Sequence, residues 1–101
     1  METPILTSST ITQLAGCSYL GLKCEAQQVT GSFKVRGVTN KVLSLPKTVT
    51  SVTAQSSGNH AIALTKVCLS RNITPYICMP TEAVQDKVEK FRELGGRVFK
   101  N

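Results

Sequence analysis

The 101-residue sequence predicts an α/β fold: a parallel sheet with flanking helices in three layers. Short β-branched or continuously apolar runs alternate along the chain with segments whose apolar residues recur every three to four positions. Glycine, proline, serine and asparagine stand at the boundaries between these segments, and no repeat or low-complexity tract interrupts them. Strands alternating with helices in this way are the pattern of βαβ units. The length allows a single domain at most, residues 1–101. With 41% hydrophobic and 18% charged residues, the chain has the composition of a folding protein rather than a disordered one.

Thr10 to Ala15 is expected to form a short helix that stops at Gly16, where glycine takes the left-handed conformation. A strand-like run, Tyr19 to Cys24, follows and is taken as the first strand of the sheet. Ser32 is a plausible N-cap for a helix carrying Val35, Val38, Val42 and Leu45 on one stripe, closed by Pro46. Thr48 to Thr53 is rich in β-branched residues and reads as a strand.

The cluster Gln55-Ser56-Ser57-Gly58-Asn59 is turn chemistry, and Ala61 to Leu69 emerges from it as a helix with Ala61, Leu64 and Cys68 on one face. Pro75 to Met79 is continuously apolar, as expected of a strand covered on both faces. Thr81 is expected to cap a helix presenting Val84, Val88, Phe91 and Leu94, which Gly95-Gly96 stops before a last strand at Arg97 to Lys100.

Composition removes several classes of function. The net charge of +6 comes from basic residues scattered between Lys23 and Lys100, and three Phe and two Tyr offer little to stack on bases, so no nucleic-acid partner is expected. No run approaches the ~20 apolar residues of a membrane span, and the start METPILTSST lacks a basic and apolar export signal, so no membrane partner and a cytoplasmic location are expected. Cys17, Cys24, Cys68 and Cys78 match neither a metal clip nor a secreted disulfide framework and read as reduced, mostly buried thiols. His60 is the only histidine, so no metal site is assigned. Tyr19 and Phe91 read as core residues.

In open parallel sheets, ligands gather beyond the carboxyl ends of the strands, where helix N-termini offer unpaired amides to anions. Two polar loops hold that place, Thr30 to Lys34 and Gln55 to His60. Lys34 falls in the first turn of its helix, facing the positive end of the helix dipole. Its amine is the kind of group that condenses with an aldehyde to a Schiff base. Taken singly, each feature has a plain structural reading: a solvated surface lysine, a strand-to-helix turn at Gly58 and Asn59, a structural histidine.

Jointly they carry a resemblance. The string Lys23-x-Glu25-x-x-Gln28-x-Thr30-Gly31-Ser32-Phe33-Lys34-Val35-Arg36-Gly37 resembles the cofactor-lysine motif of the fold-type II (tryptophan synthase β-like) pyridoxal phosphate enzymes, in the branch of serine racemase and serine/threonine dehydratase. Gln55-Ser56-Ser57-Gly58-Asn59-His60-Ala61 resembles that branch's second signature. Thr3-Pro4-Ile5-Leu6-Thr7-Ser8-Ser9, Gln13-Leu14-Ala15-Gly16 and Pro75-Tyr76-Ile77-x-Met79-Pro80 extend the likeness through nearly the whole chain.

The resemblance implies pyridoxal 5′-phosphate as cofactor, held covalently by Lys34, with Phe33 beside its ring and Asn59 on its phenolic oxygen. It implies that Ser56, Ser57, Asn59 and His60 receive the substrate carboxylate, and that Ser57 is the second catalytic group, on the cofactor face opposite Lys34. A base on each face suits racemisation, and loss of a β-hydroxyl from the same substrate gives dehydration.

The implied substrates are L-serine, L-threonine or D-serine, and the implied assembly is a homodimer or homotetramer. The family's glycine-rich phosphate cradle, its late Ser or Cys at the ring nitrogen and its acidic residues for a divalent cation have no counterpart here. The chain is therefore expected to be the N-terminal, small-domain portion of a two-domain enzyme. The alternative is an inactive remnant or interaction module that keeps the small-domain fold.

Overall fold

The computed structural model describes every residue from Met1 to Asn101. The chain runs through β1 (Ile5–Thr7), α1 (Ser9–Ala15), β2 (Gly21–Lys23), a 3-10 turn (Glu25–Gln27) and α2 (Lys34–Leu43). Then follow β3 (Ser51–Gln55), α3 (Asn59–Leu69), β4 (Thr74–Met79), α4 (Gln85–Glu93) and β5 (Arg97–Lys100).

β3, β4 and β5 form a parallel sheet in that order, with Val52 opposite Pro75, Ala54 opposite Ile77, and Ile77 opposite Val98. Sequential parallel neighbours joined through helices make right-handed crossovers, which put both helices on one face. Accordingly α3 packs on β4 and touches α4. The parallel sheet with flanking helices is therefore present, but the third layer is not. β4 shows this in its burial: Pro75, Ile77 and Met79 are buried, whereas Thr74, Tyr76 and Cys78 are half-buried on the open face. The expected strand covered on both faces is covered on one, because its apolar run includes a tyrosine and a cysteine that tolerate partial exposure.

The second difference lies at the start. Gly21–Lys23 does not join the parallel sheet; it pairs antiparallel with Ile5–Thr7 in a separate ribbon. Gly21 makes that pairing feasible, since a Cβ there would stand 2.8 Å from Ile5 Cγ2 and 3.1 Å from the Tyr19 hydroxyl. α1 connects the two strands. Ser8 Oγ accepts the Ile11 amide at 3.3 Å, and Gly16 closes the helix at φ 67° as expected.

Neither ribbon strand nor α1 buries a residue, and Tyr19 is 67% exposed, so it is a surface residue and not core. The radius of gyration, 17.1 Å, exceeds the ~13 Å of a compact chain of this length, in keeping with this projecting ribbon.

The core is one cluster in which Val35, Val38 and Val42 of α2, Ala61, Leu64 and Cys68 of α3, Ile77 and Met79 of β4, and Val88 and Phe91 of α4 meet. Each large side chain removed from water contributes ~1.5–3 kcal/mol. Val84 does not belong to it. The Pro80 carbonyl accepts the Ala83 amide at 3.0 Å, and Val84 is extended and exposed as the N-cap of α4, so Thr81 stands outside the helix that it was expected to cap.

All four cysteines are free, but only Cys68 is buried. Cys24 and Cys78 are half-buried because one lies beside the ribbon and the other on the open sheet face, and Cys17 is exposed. Burial pushes the Cys68 thiol up from its ordinary pKa.

Candidate functional site

Lys34 is set by the loop that precedes it. Gly31, at φ 77°, supplies a backbone conformation that a side chain disfavours, and the Gly31 amide donates to the Gln28 carbonyl at 2.8 Å. Ser32 is buried, and its Oγ accepts the Lys34 amide at 3.4 Å. It stands one residue outside the N-cap, which is Phe33 in helical conformation with no capping bond of its own. Lys34 thereby opens α2 as an exposed residue, with Nζ 4.8 Å from the centroid of the half-exposed Phe33 ring.

The second loop leaves β3 at Gln55. The Ser56 amide donates to the Cys78 carbonyl at 3.1 Å, tying the loop to β4, and Ser56 Oγ accepts the Gly58 amide at 3.3 Å. α3 then starts at Asn59, and its N-cap Gly58 provides no side-chain acceptor for the first-turn amides. Amides so placed suit a carboxylate or phosphate. A Cβ added at Gly58 would meet nothing within 4 Å, so the approach to this turn is open.

α2 packs against α3, and a groove of about 510 Å³ runs between them and β3. Phe33, Lys34, Lys41, Val52, His60 and Leu64 are among its walls. Two of the expected site residues around the lysine, Phe33 and His60, thus share one groove with it. Ser57 faces a different, smaller cleft of about 380 Å³, with Pro80, Glu82 and Lys87. Ser56 and Asn59 line neither of the two.

Sequence reasoning passed over Lys41, although its signal was available: Lys34, Val38, Lys41 and Leu45 fall at helical spacing along the groove. It also gave no role to Glu25, whose carboxylate accepts from Arg36 Nη2 at 2.8 Å and Arg36 Nε at 3.0 Å. Opposite charges within one motif were the visible sign.

A lysine that lines a largely apolar groove, an aromatic ring beside its amine and an uncapped helix start fit a flat, aromatic aldehyde that carries an anion. The pattern that defines the family described as "Pyridoxal-phosphate dependent enzyme" matches residues 1–101. The chain belongs to this family.

Among its relatives is the serine racemase of Arabidopsis thaliana, 42% identical over 100 residues, which cover 97% of this chain and 30% of the relative. The β-hydroxyaspartate dehydratase of Paracoccus denitrificans is 42% identical over 97 residues, 94% of this chain and 30% of that enzyme. The crystal structure of serine racemase from Dictyostelium discoideum superposes with a TM-score of 0.88 at 40% identity, over 99% of this chain and 33% of that one. The chain thus spans about 30% of the length of these curated relatives. The family match accounts for the parallel sheet and the helices that flank it. No helix here is long and apolar enough to cross a membrane.

Proposed function

We propose that this chain supplies the cofactor lysine and the carboxylate-binding loop of a racemase or dehydratase acting on hydroxy amino acids such as serine and threonine. The observation that carries the reading is the shared groove, lined by Lys34 at the start of α2, its N-cap Phe33 and His60 in the first turn of α3. The family likeness over the whole chain and the names of its relatives support the substrate class.

In this reading Lys34 Nζ anchors the cofactor aldehyde and moves a proton at the substrate α-carbon, while Phe33 forms an apolar wall for the ring. Asn59 donates to the phenolic oxygen. Ser56, Ser57 and His60, with the first-turn amides of α3, orient the substrate carboxylate, and the Ser57 hydroxyl, which lines the separate cleft beside Pro80, is assigned the proton exchange on the face opposite Lys34. Pyridoxal phosphate, when bound, supplies the electron sink that makes the α-proton acidic.

The residues present do not form a divalent-cation site, since no three His, Cys, Asp or Glu side chains cluster, and no step is assigned to a metal. The chain is read as one partial, small-domain portion of a two-domain cytoplasmic enzyme, with a homodimer or homotetramer as its assembly.

The test is spectroscopic. Titrating the chain with pyridoxal 5′-phosphate is expected to give the visible absorption of a lysine-bound cofactor, which shifts when serine is added and is missing in K34A. An unchanged spectrum on serine addition removes the substrate assignment. A second reading, a non-catalytic interaction module, draws on the open sheet face with Tyr76 and the 44%-exposed Phe99. Self-association without cofactor uptake would favour it.

A further inference from the structure

Glu25 is the motif residue to which the cofactor reading gives no task, yet both ion pairs of the chain end on it. Its Oε1 accepts Thr3 Oγ1 at 2.8 Å and Arg36 Nη2 at 2.8 Å, its Oε2 accepts Arg36 Nε at 3.0 Å, and Lys23 Nζ stands 3.6 Å from Oε1. Thr3 precedes β1, Lys23 ends β2 and Arg36 lies in the first turn of α2. One carboxylate therefore joins three chain segments that share no apolar core.

The start of α2 needs such an anchor. Its first turn holds Lys34 and Arg36, contains no acidic residue and has no side-chain bond from its N-cap, so two cations oppose the helix dipole without local compensation. A guanidinium held through two nitrogens has a fixed orientation, unlike an ammonium, which is free to swivel. Arg36 stands two residues after Lys34, so the direction in which Arg36 is held sets the rotation of the turn that carries Lys34. The Arg36 guanidinium in turn keeps the Glu25 carboxyl down at about 2, fully ionised at neutral pH.

We propose that Glu25 is a positioning residue: through its two-point grip on Arg36 it fixes the first turn of α2 and aims the Lys34 amine along the groove. This inference rests on the reading of Lys34 as the cofactor lysine.

Two measurements on the full chain test it, one of them without cofactor. Hydrogen exchange of the Val38 amide, which closes the first turn of α2, reports the fixing of that turn. Borohydride-trapped pyridoxal phosphate on Lys34 reports the aim of the amine. E25Q is expected to speed Val38 exchange at least fivefold with the Ile77 amide unchanged, and to weaken capture at Lys34 at least threefold. E25D is expected to recover more than half of both losses. R36Q should show the same losses in direction as E25Q, which also weakens the contacts to Thr3 and Lys23, and the double variant should be no worse than E25Q, because the Glu25–Arg36 grip is already gone in each single variant. E93Q, which removes a carboxylate on α4, should match the wild type.

Wild-type exchange and capture in E25Q would overturn the proposal, as would losses that multiply in the double variant. If E25Q fails to fold, R36K, which keeps the charge and loses the fork, is measured in its place, and wild-type behaviour there overturns the proposal equally. If the wild type captures no cofactor at Lys34, the reading of the lysine fails. Exchange then decides alone: a loosened Val38 in E25Q or R36K upholds the role of Glu25, and an unchanged one overturns it.

Discussion

The Lys34 amine stands 4.8 Å from the centre of the Phe33 ring, so the residue that opens α2 lies over its own N-cap. This neighbourhood of amine and ring separates binding from stability. Phe33 is 57% exposed and outside the core, so F33A is expected to change the free energy of unfolding by less than ~0.5 kcal/mol. Capture of pyridoxal phosphate by Lys34 should fall about two- to thirteenfold, the loss of one aromatic contact of ~0.5–1.5 kcal/mol. Denaturant titration and quantitative mass spectrometry of the adduct check the two halves. Equal losses in both would make Phe33 a folding residue only.

Acid provides a second prediction, through Glu25. Its folded-state pKa, about 2, lies below the ordinary 4.5, with the hydrogen bond from Arg36 as the largest cause. A depressed carboxyl contributes its stabilisation above the unfolded value and loses it as pH falls through the folded one. The stabilisation from the contacts to Thr3, Lys23 and Arg36 should therefore be complete at pH 5 and be lost between pH 4.5 and about 2, where the folded carboxyl itself takes up its proton. Carboxyl-carbon NMR of Glu25 reads this directly, and a midpoint above 4 contradicts the ion pair. Being exposed, the pair should also weaken with salt.

Gly95 carries a third prediction. It lies at φ 96°, so alanine meets backbone strain there, and its Cβ, 2.8 Å from Leu69 Cδ1, makes the exposed end of that leucine swing aside. G95A should cost ~1–3 kcal/mol and lower the denaturation midpoint, whereas K90A, on the exposed side of α4, should change it by less than ~0.5 kcal/mol. Equal midpoints for the two variants would show that α4 ends without the left-handed turn.

The parallel sheet depends on Ile77, fully buried at the centre of β4 and paired with both neighbouring strands. I77A should cost ~2–5 kcal/mol, a large share of the 5–15 kcal/mol that holds an ordinary domain together. Loss of the cooperative unfolding transition, or a large fall in its midpoint by circular dichroism, is the expected result. An unshifted midpoint would mean that the sheet is not the stable part of the chain.

The second half of the fold was legible because its signals agree. β5 begins and ends where the sequence places it, since Gly95-Gly96 stop α4 and the following run is β-branched and aromatic. The ribbon was not legible. Ile5–Thr7 spans three exposed residues, too few for an alternating pattern, and its pairing with Gly21–Lys23 is long-range. Val84 fitted the helical stripe by spacing, but the turn from Pro80 to Ala83 displaces the helix start beyond it.

Lys34 and its neighbours were readable as a linear motif. That His60 shares a groove with Lys34 while Ser57 faces another cleft depends on how the loop turns after β3, and no residue pattern encodes that direction.

The most direct test of the account is to locate the cofactor on the chain. After incubation with pyridoxal 5′-phosphate and borohydride reduction, peptide mapping is expected to find the adduct on Lys34 in strong preference to the other seven lysines. An even spread over the surface lysines, or a preference for any residue other than Lys34, would contradict it.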